Sequence, residues 1–175
     1  MNEDLRYPIG KAVIDPSPTP QKRAAWIGDI ADLPGKARAA VAGLTQAQLD
    51  TPYRDGGWTV RQVVHHLADS HMNSFVRFKL ALTEASPTIK AYDEKLWALT
   101  ADAGLDVASS LALLEGLHTR WAALLSNLAP EQWERTFVHP ESGVQKLDRT
   151  LQVYAWHCKH HVAHITALRA RSGWR

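Results

Sequence analysis

Apolar residues recur every three or four positions in four long stretches of this chain, which is the spacing that places them on one face of a helix. The first stretch is expected to begin at Gln21, to be interrupted or kinked near Pro34 and to stop at Gly43. The second runs from residue 60 to about residue 84. It opens with Thr59 and, three positions later, Gln62, which is the pattern of a capping box.

The other two helical stretches lie in the second half of the chain. Ser109 or Ser110 is expected to cap the third helix, which ends before Pro130. Asp148 is expected to cap the fourth, which runs to about Arg171. The pattern therefore predicts an all-α fold, a four-helix bundle.

The segments between these helices differ in character. Residues 1–20 carry four prolines and predict an extended arm that drapes over the domain. Residues 85–108 are polar and irregular, and they predict a long crossover with a short helix near 94–99. Residues 136–147 predict a small hairpin whose turn includes Gly143, just before the last helix. The whole chain, residues 1–175, is expected to form one domain.

Composition narrows the classes of protein that fit. A chain of 175 residues buries about 70% of its unfolded surface without help from metal or disulfides. The 20 basic and 18 acidic residues are scattered, which gives no case for nucleic acid. The first twenty residues lack an apolar core of the signal-peptide type, and no later run approaches the length of a membrane span. With a single cysteine as well, we expect a soluble cytoplasmic protein with no membrane partner.

Histidines supply the chemical signal. Four of the nine lie between residues 154 and 168, as two pairs four residues apart: His157 with His161, and His160 with His164. On a helix, residues four apart share a face and one divalent metal can bridge them. The first pair centres about 40° from the apolar stripe and the second about 100° from it, so His157 and His161 are the predicted ligands. The competing interpretation is that all four line a polar helix face.

A third ligand is available on the second helix, where His66 lies on the inward side. Three histidines leave a coordination position open, which is typical of catalytic rather than structural zinc sites. We therefore expect one divalent metal per chain, zinc first and nickel as the alternative, held by His66, His157 and His161. Asp69, one turn after His66, is a candidate to orient a ligand or accept a proton, or else a solvated helix residue.

Other reactive side chains have simpler interpretations. Cys158 is expected to be inert packing rather than a nucleophile. His118 is expected to be a core histidine bonded to a neighbour, in preference to a place beside the metal. Tyr53, Arg54 and Arg77 are either pocket-lining residues or surface packing.

Four motifs make the chain resemble the YfiT branch of the DinB superfamily. They are Tyr-Pro-Ile-Gly at 7–10, the block at 51–74 that begins Thr-Pro-Tyr-Arg-Asp-Gly-Gly-Trp, Tyr-Asp-Glu-Lys at 92–95, and Trp-His-x-x-His-His-x-Ala-His-Ile at 156–165. The resemblance implies an up-down-down-up helix order, a homodimer, and a metal held by His66, His157 and His161. It also places His164 where a glutamine is common in the wider superfamily, which makes His164 a second catalytic candidate beside Asp69.

Three functions follow as hypotheses. The first is a metal-dependent hydrolase of a small substrate, with water on the open metal position as nucleophile. The second is an S-transferase in which a low-molecular-weight thiol such as bacillithiol or mycothiol occupies that position. The third is a stress-associated metal-binding protein without turnover.

Overall fold

Four long helices and several short elements make up the fold, in a computed structural model that describes residues 4–174. The helices are α1 (Pro20–Val41), α2 (Gln46–Leu49), α3 (Val60–Thr83), α4 (Glu94–Trp97), α5 (Ala108–Ser126) and α6 (Leu147–Ser172). Single 3₁₀ turns occupy Ala101–Gly104 and Pro130–Glu134, and the strands β1 (Thr136–His139) and β2 (Gly143–Lys146) form an antiparallel hairpin before α6. Among the described residues, no helix is both long enough and apolar enough to cross a membrane.

Helices α1 and α6 run parallel to each other. Near the start of both, the Arg23 guanidinium pairs with the Asp148 carboxylate at 2.7 Å. Near the end of both, Arg169 donates to the carbonyl of Ala40 at 2.9 Å. The two helices therefore point the same way along their whole length.

Helices α3 and α5 run opposite to that pair. Arg38, late in α1, lies 3.0 Å from Glu115, early in α5, so these two helices are antiparallel. His65 and Ser110, near the starts of α3 and α5, are joined by a 2.7 Å hydrogen bond, so α3 and α5 are parallel. The order is up-down-down-up, as predicted, and the crossover at 84–107 is the connection that it requires.

Large apolar side chains from all four long helices fill the core. The fully buried ones are Ile30, Leu33, Leu67, Phe78, Leu114, Trp121, Leu125, Leu147, Leu151 and Ile165. Because this core is continuous, we expect it to support the fold without a metal.

Helix α1 starts one residue before the predicted start and is not interrupted at Pro34. The helix begins at Pro20 and is capped by the Thr19 hydroxyl. Proline lacks the amide that would bond the carbonyl four residues earlier, which here belongs to Ile30. That carbonyl instead accepts from the Nδ1 atom of His118 at 2.5 Å. A side chain from α5 thus replaces the missing helical bond.

Two predicted caps lie inside their helices. Val107 precedes α5, and Ser110 sits in the first turn, where its hydroxyl bonds His65. Lys146 precedes α6, and the Asp148 side chain is committed to the Arg23 guanidinium rather than to backbone amides. In both helices the side chain that the local pattern assigned to a cap instead forms a hydrogen bond or ion pair with a residue distant in the sequence.

The arm lies along α6. Asp15 and the Gln152 side chain exchange two hydrogen bonds, at 2.8 and 3.1 Å. The Trp156 indole donates to the carbonyl of Gly10 at 3.1 Å, and the His164 ring bonds the carbonyl of Arg6. A non-helical arm that lies over the domain is therefore confirmed for residues 4–19, although residues 4–10 form two hydrogen-bonded turns rather than an extended strand. Residues 1–3 of the predicted segment lie outside the described part of the chain.

Candidate metal centre

Three histidine nitrogens converge between α3 and α6. The Nε2 atoms of His66 and His161 lie 3.2 and 3.1 Å from the Nε2 atom of His157. One helical turn separates His157 from His161, and the antiparallel packing of α3 brings His66 opposite both. The structure thus brings together the three residues that sequence spacing selected.

These distances suit a single small cation. Two nitrogens bound to zinc at 2.0–2.1 Å in a tetrahedral arrangement lie about 3.3 Å apart. Burial holds the pKa of His66 at about 4 and the pKa values of His157 and His161 well below the usual range, so all three rings are neutral at pH 7. Neutral imidazole is the form that binds a metal.

The hydrogen bonds behind His161 fix which of its nitrogens is free. A backbone carbonyl can only accept, so the Nε2 atom of His164 donates to the carbonyl of Arg6 at 3.1 Å. The Nδ1 atom of His164 is then an acceptor, and the Nδ1 atom of His161, 3.3 Å away, donates to it. The proton of His161 is therefore on Nδ1, and its Nε2 presents a lone pair to the centre.

His157 has an equivalent support from α3. The Nε2 atom of His71 lies 3.0 Å from the Nδ1 atom of His157. His71 is fully buried and stacks on His118, with ring centroids 4.9 Å apart. Such a bond holds the proton of a metal-binding histidine on the nitrogen away from the metal and fixes its ring. Sequence reasoning missed His71, although it lies four residues after Leu67, on the buried stripe of α3.

The second histidine pair is also buried, which the predicted angle does not explain. His160 stacks on Trp156 at 4.2 Å and lies 5.8 Å from the ring of Tyr7 in the arm. The Tyr53 ring stacks on His164 at 3.9 Å. The arm and the 51–59 loop therefore cover the face that helical periodicity placed away from the core. Nitrogens of His160, His161 and His164 also lie within 4.8 Å of one another, so His161 belongs to two histidine groups.

Two cavities flank the three nitrogens. A cavity of about 290 Å³ is lined by His161, Trp58 and Arg54, together with residues of the arm and of α4. A smaller, more enclosed one lies beside His66 and is lined by Asp69. Glu94 of α4 lines both cavities; it belongs to the Tyr-Asp-Glu-Lys motif at 92–95, but no sequence pattern assigned it a role at the site.

Comparison with known proteins places the chain in a family. The model of the DinB superfamily matches residues 23–165. This chain belongs to the DinB superfamily. A Bacillus mycoides protein provisionally named a metal-dependent hydrolase is 55% identical over 172 residues, which are 98% of this chain and 99% of that protein. A Bacillus cereus protein with the same provisional name is 56% identical over 171 residues, which are 98% and 99% of the two chains.

Solved structures agree with the fold of this DinB-superfamily chain. YfiT from Bacillus subtilis superposes with a TM-score of 0.95 at 51% identity. Its structure is described as that of a provisionally assigned metal-dependent hydrolase with an unusual four-helix bundle topology. The match covers 98% of this chain and 99% of YfiT. The four-helix bundle protein TT2238 matches 85% of this chain and 98% of its own with a TM-score of 0.55 at 20% identity, which supports the fold alone.

The remaining predicted site residues fall in different places in this DinB-superfamily chain. Asp69 lines the smaller cavity without a hydrogen bond from its carboxylate to a ligand histidine, and burial raises its pKa. Tyr53 and Arg54 line the larger cavity, whereas Arg77 lines a separate one beside the hairpin. Cys158 is buried, and burial raises the pKa of its thiol, as expected of a packing residue.

Proposed function

We propose that this chain is a hydrolase of small substrates whose one divalent cation, zinc first and nickel as the alternative, is held by His66, His157 and His161. The observation that carries the proposal is the convergence of three neutral Nε2 atoms, of which those of His66 and His161 lie 3.2 and 3.1 Å from that of His157 and all three lie within 4.8 Å of one another. The provisional names of the Bacillus relatives point in the same direction.

A cation held by three protein ligands acts as a Lewis acid that activates water and polarises carbonyl or phosphoryl oxygens. The protein side chains would supply the positioning of the ligand rings and the acceptance of a proton. His71 and His164 hold the rings of His157 and His161 in place through their Nδ1 atoms. We assign the role of His164 to this positioning rather than to proton transfer, because both of its nitrogens are engaged.

Two carboxylates line the cavities that His66 and His161 also line, and we consider both as proton acceptors. Asp69 lines only the smaller cavity, whereas Glu94 lines that cavity and also the larger one beside His161. A general base must reach the substrate side of the site. We therefore assign proton acceptance to Glu94 in preference to Asp69.

The test is turnover by protein reconstituted with one equivalent of zinc or nickel. A panel of carboxylic esters, amides and phosphate esters would be incubated with the wild type and with His161→Ala as the matched control. The proposal expects hydrolysis by the wild type and none by the variant.

Parallel reactions with an electrophile and several low-molecular-weight thiols separate hydrolysis from thiol transfer. Product formation only in the presence of a thiol would overturn the hydrolase in favour of an S-transferase. Stoichiometric metal without turnover in any reaction would favour a metal-binding protein without chemistry.

A further inference from the structure

The Arg54 side chain is held in a defined position at the wall of the larger cavity. Its Nε atom donates to the Tyr53 hydroxyl at 3.2 Å, and its Nη1 atom donates to the carbonyl of Asp55 at 2.9 Å. The guanidinium also lies over the Tyr53 ring, 5.4 Å from its centroid. These two hydrogen bonds use two of the five guanidinium donors and leave three for a ligand.

Gly57 makes room for this side chain. A Cβ atom at Gly57 would lie 2.7 Å from the Cγ atom of Arg54 and 3.1 Å from its carbonyl oxygen. The first distance is shorter than real Cβ contacts and the second is tight, so a side chain at position 57 would require the Arg54 stem to shift. The Gly56-Gly57 loop therefore does more than turn the chain: it packs its backbone against the stem of Arg54.

A continuous series of contacts, two stacking contacts and one hydrogen bond, joins Arg54 to His161 of the metal centre. The guanidinium covers Tyr53, the Tyr53 ring stacks on His164 at 3.9 Å, and His164 accepts from His161. His161 and Arg54 line the same cavity, so we expect a small molecule bound there to contact both.

The cavity carries an excess of positive charge. Among the described residues, Arg6, Arg54 and Lys95 line it together with one acidic residue, Glu94. Within residues 4–174, none of these three cations lies within 4.0 Å of a carboxylate. Arg171 adds a further charge behind the wall, where it donates to the carbonyl of Tyr53. Such a field favours an anionic ligand.

We propose that Arg54 binds the anionic group of a small substrate, a carboxylate or a phosphate, and holds the substrate in the cavity beside His161. This inference deepens the proposed function by naming a substrate class, and it rests on that function. An arginine suits the role because its fork matches two oxygens of a carboxylate or phosphate. The cavity of about 290 Å³ limits the ligand to a small molecule.

The experiment measures binding rather than turnover, so that it is independent of hydrolysis. Benzoate, phenyl phosphate and benzamide, the neutral counterpart of benzoate, would be titrated calorimetrically into metal-free and zinc-loaded protein. The variants are Arg54→Gln and, as the matched loss of one arginine, Arg38→Gln; Arg38 is exposed, pairs with Glu115 and does not line the cavity.

We expect metal-free wild type to bind at least one anion more tightly than benzamide. Arg54→Gln should weaken that binding by about tenfold or more, as for loss of a charged hydrogen bond, and Arg38→Gln should leave it unchanged. The two anions decide between carboxylate and phosphate. Binding that is absent, equal for benzamide, or indifferent to Arg54→Gln would overturn the inference.

The metal-free titrations keep this inference separate from the proposed function. Anion binding that depends on Arg54, in a protein that hydrolyses nothing, would support the anion site and count against the hydrolase. Anion binding only to zinc-loaded protein, and equal in Arg54→Gln, would place the anion on the metal and refute the role of Arg54. Gly57→Ala gives a second variant, since it keeps the charge but displaces the side chain, and it should weaken anion binding without loss of zinc.

Discussion

Replacing His71 by leucine tests whether a residue that touches no metal controls the metal centre. His71 is fully buried, and within residues 4–174 its side chain makes one hydrogen bond, between its Nε2 atom and the Nδ1 atom of His157 at 3.0 Å. Leucine has a similar volume and fills the space, but it cannot accept this bond. In the metal-bound protein the Nδ1 proton of His157 would then be buried without a partner.

The size of the effect follows from the kind of contact that is lost. Removing the outer partner of a metal-binding histidine weakens metal binding by about 10- to 100-fold, or about 1.4–2.7 kcal/mol. The same range covers the cost of leaving a buried donor unpaired, about 1–3 kcal/mol. We therefore expect His71→Leu to keep the site but to bind zinc at least tenfold more weakly than the wild type.

Competition for zinc with a chromophoric chelator at pH 7 measures this difference. His71→Gln should restore much of the affinity, because its amide oxygen can accept from His157. His118→Leu is the matched control, since His118 stacks on His71 but has no contact with a ligand histidine. Wild-type affinity in His71→Leu, or an equal loss in His118→Leu, would refute the positioning role.

The remaining predictions use the same protein preparations. Burial lowers the pKa of His66 and of His118 to about 4, below the ordinary 6.5, so the unfolded chain binds more protons below pH 6.5. The free energy of unfolding of metal-free protein should therefore fall by about 2 kcal/mol for each of these histidines as the pH is lowered from 7 to 5. Urea unfolding at pH 7 and at pH 5 measures this difference, and equal urea midpoints at the two pH values would contradict it. Removing the metal with a chelator should lower the melting temperature but leave the circular dichroism of the helices nearly unchanged, because the core is apolar; loss of helix on chelation would show a structural metal. His160→Ala should retain stoichiometric zinc, whereas His164→Ala should weaken zinc binding, and complete loss in His160→Ala would disprove the ligand assignment. Glu94→Gln should lower turnover of a hydrolysed substrate more than Asp69→Asn at unchanged metal content, and the reverse order would reassign the base.

Helix periodicity predicted most of the fold because each long helix carries its own apolar stripe. Val60 and the capping box of Thr59 with Gln62 start α3 as expected. The same periodicity selected His157 and His161, which are four residues apart on α6, and His66, which lies on the inward side of α3. What local pattern predicts well here is the face of a helix and the residues that share it.

Long-range contacts explain what the sequence did not reveal. Periodicity cannot show that the arm covers His160 and His164, or that Ser110 bonds a histidine of another helix. The role of His71 depends on the register of α3 against α6, which no single helix encodes. His118 was correctly expected to be a bonded core histidine, but its partner exists only because Pro34 frees a carbonyl in α1.

The homodimer, the cytoplasmic location and the single domain over residues 1–175 stay predictions. Light scattering of the purified protein would test the first, with twice the chain mass as the expected result and the chain mass as the contrary one.

Metal content is the most direct test of the central claim. Protein purified without an affinity tag would be analysed by mass spectrometry, wild type beside His161→Ala. We predict about one zinc or nickel per wild-type chain and none in the variant, with helix content preserved in both. Wild type without metal, or equal metal in the two proteins, would contradict a cation held by His66, His157 and His161.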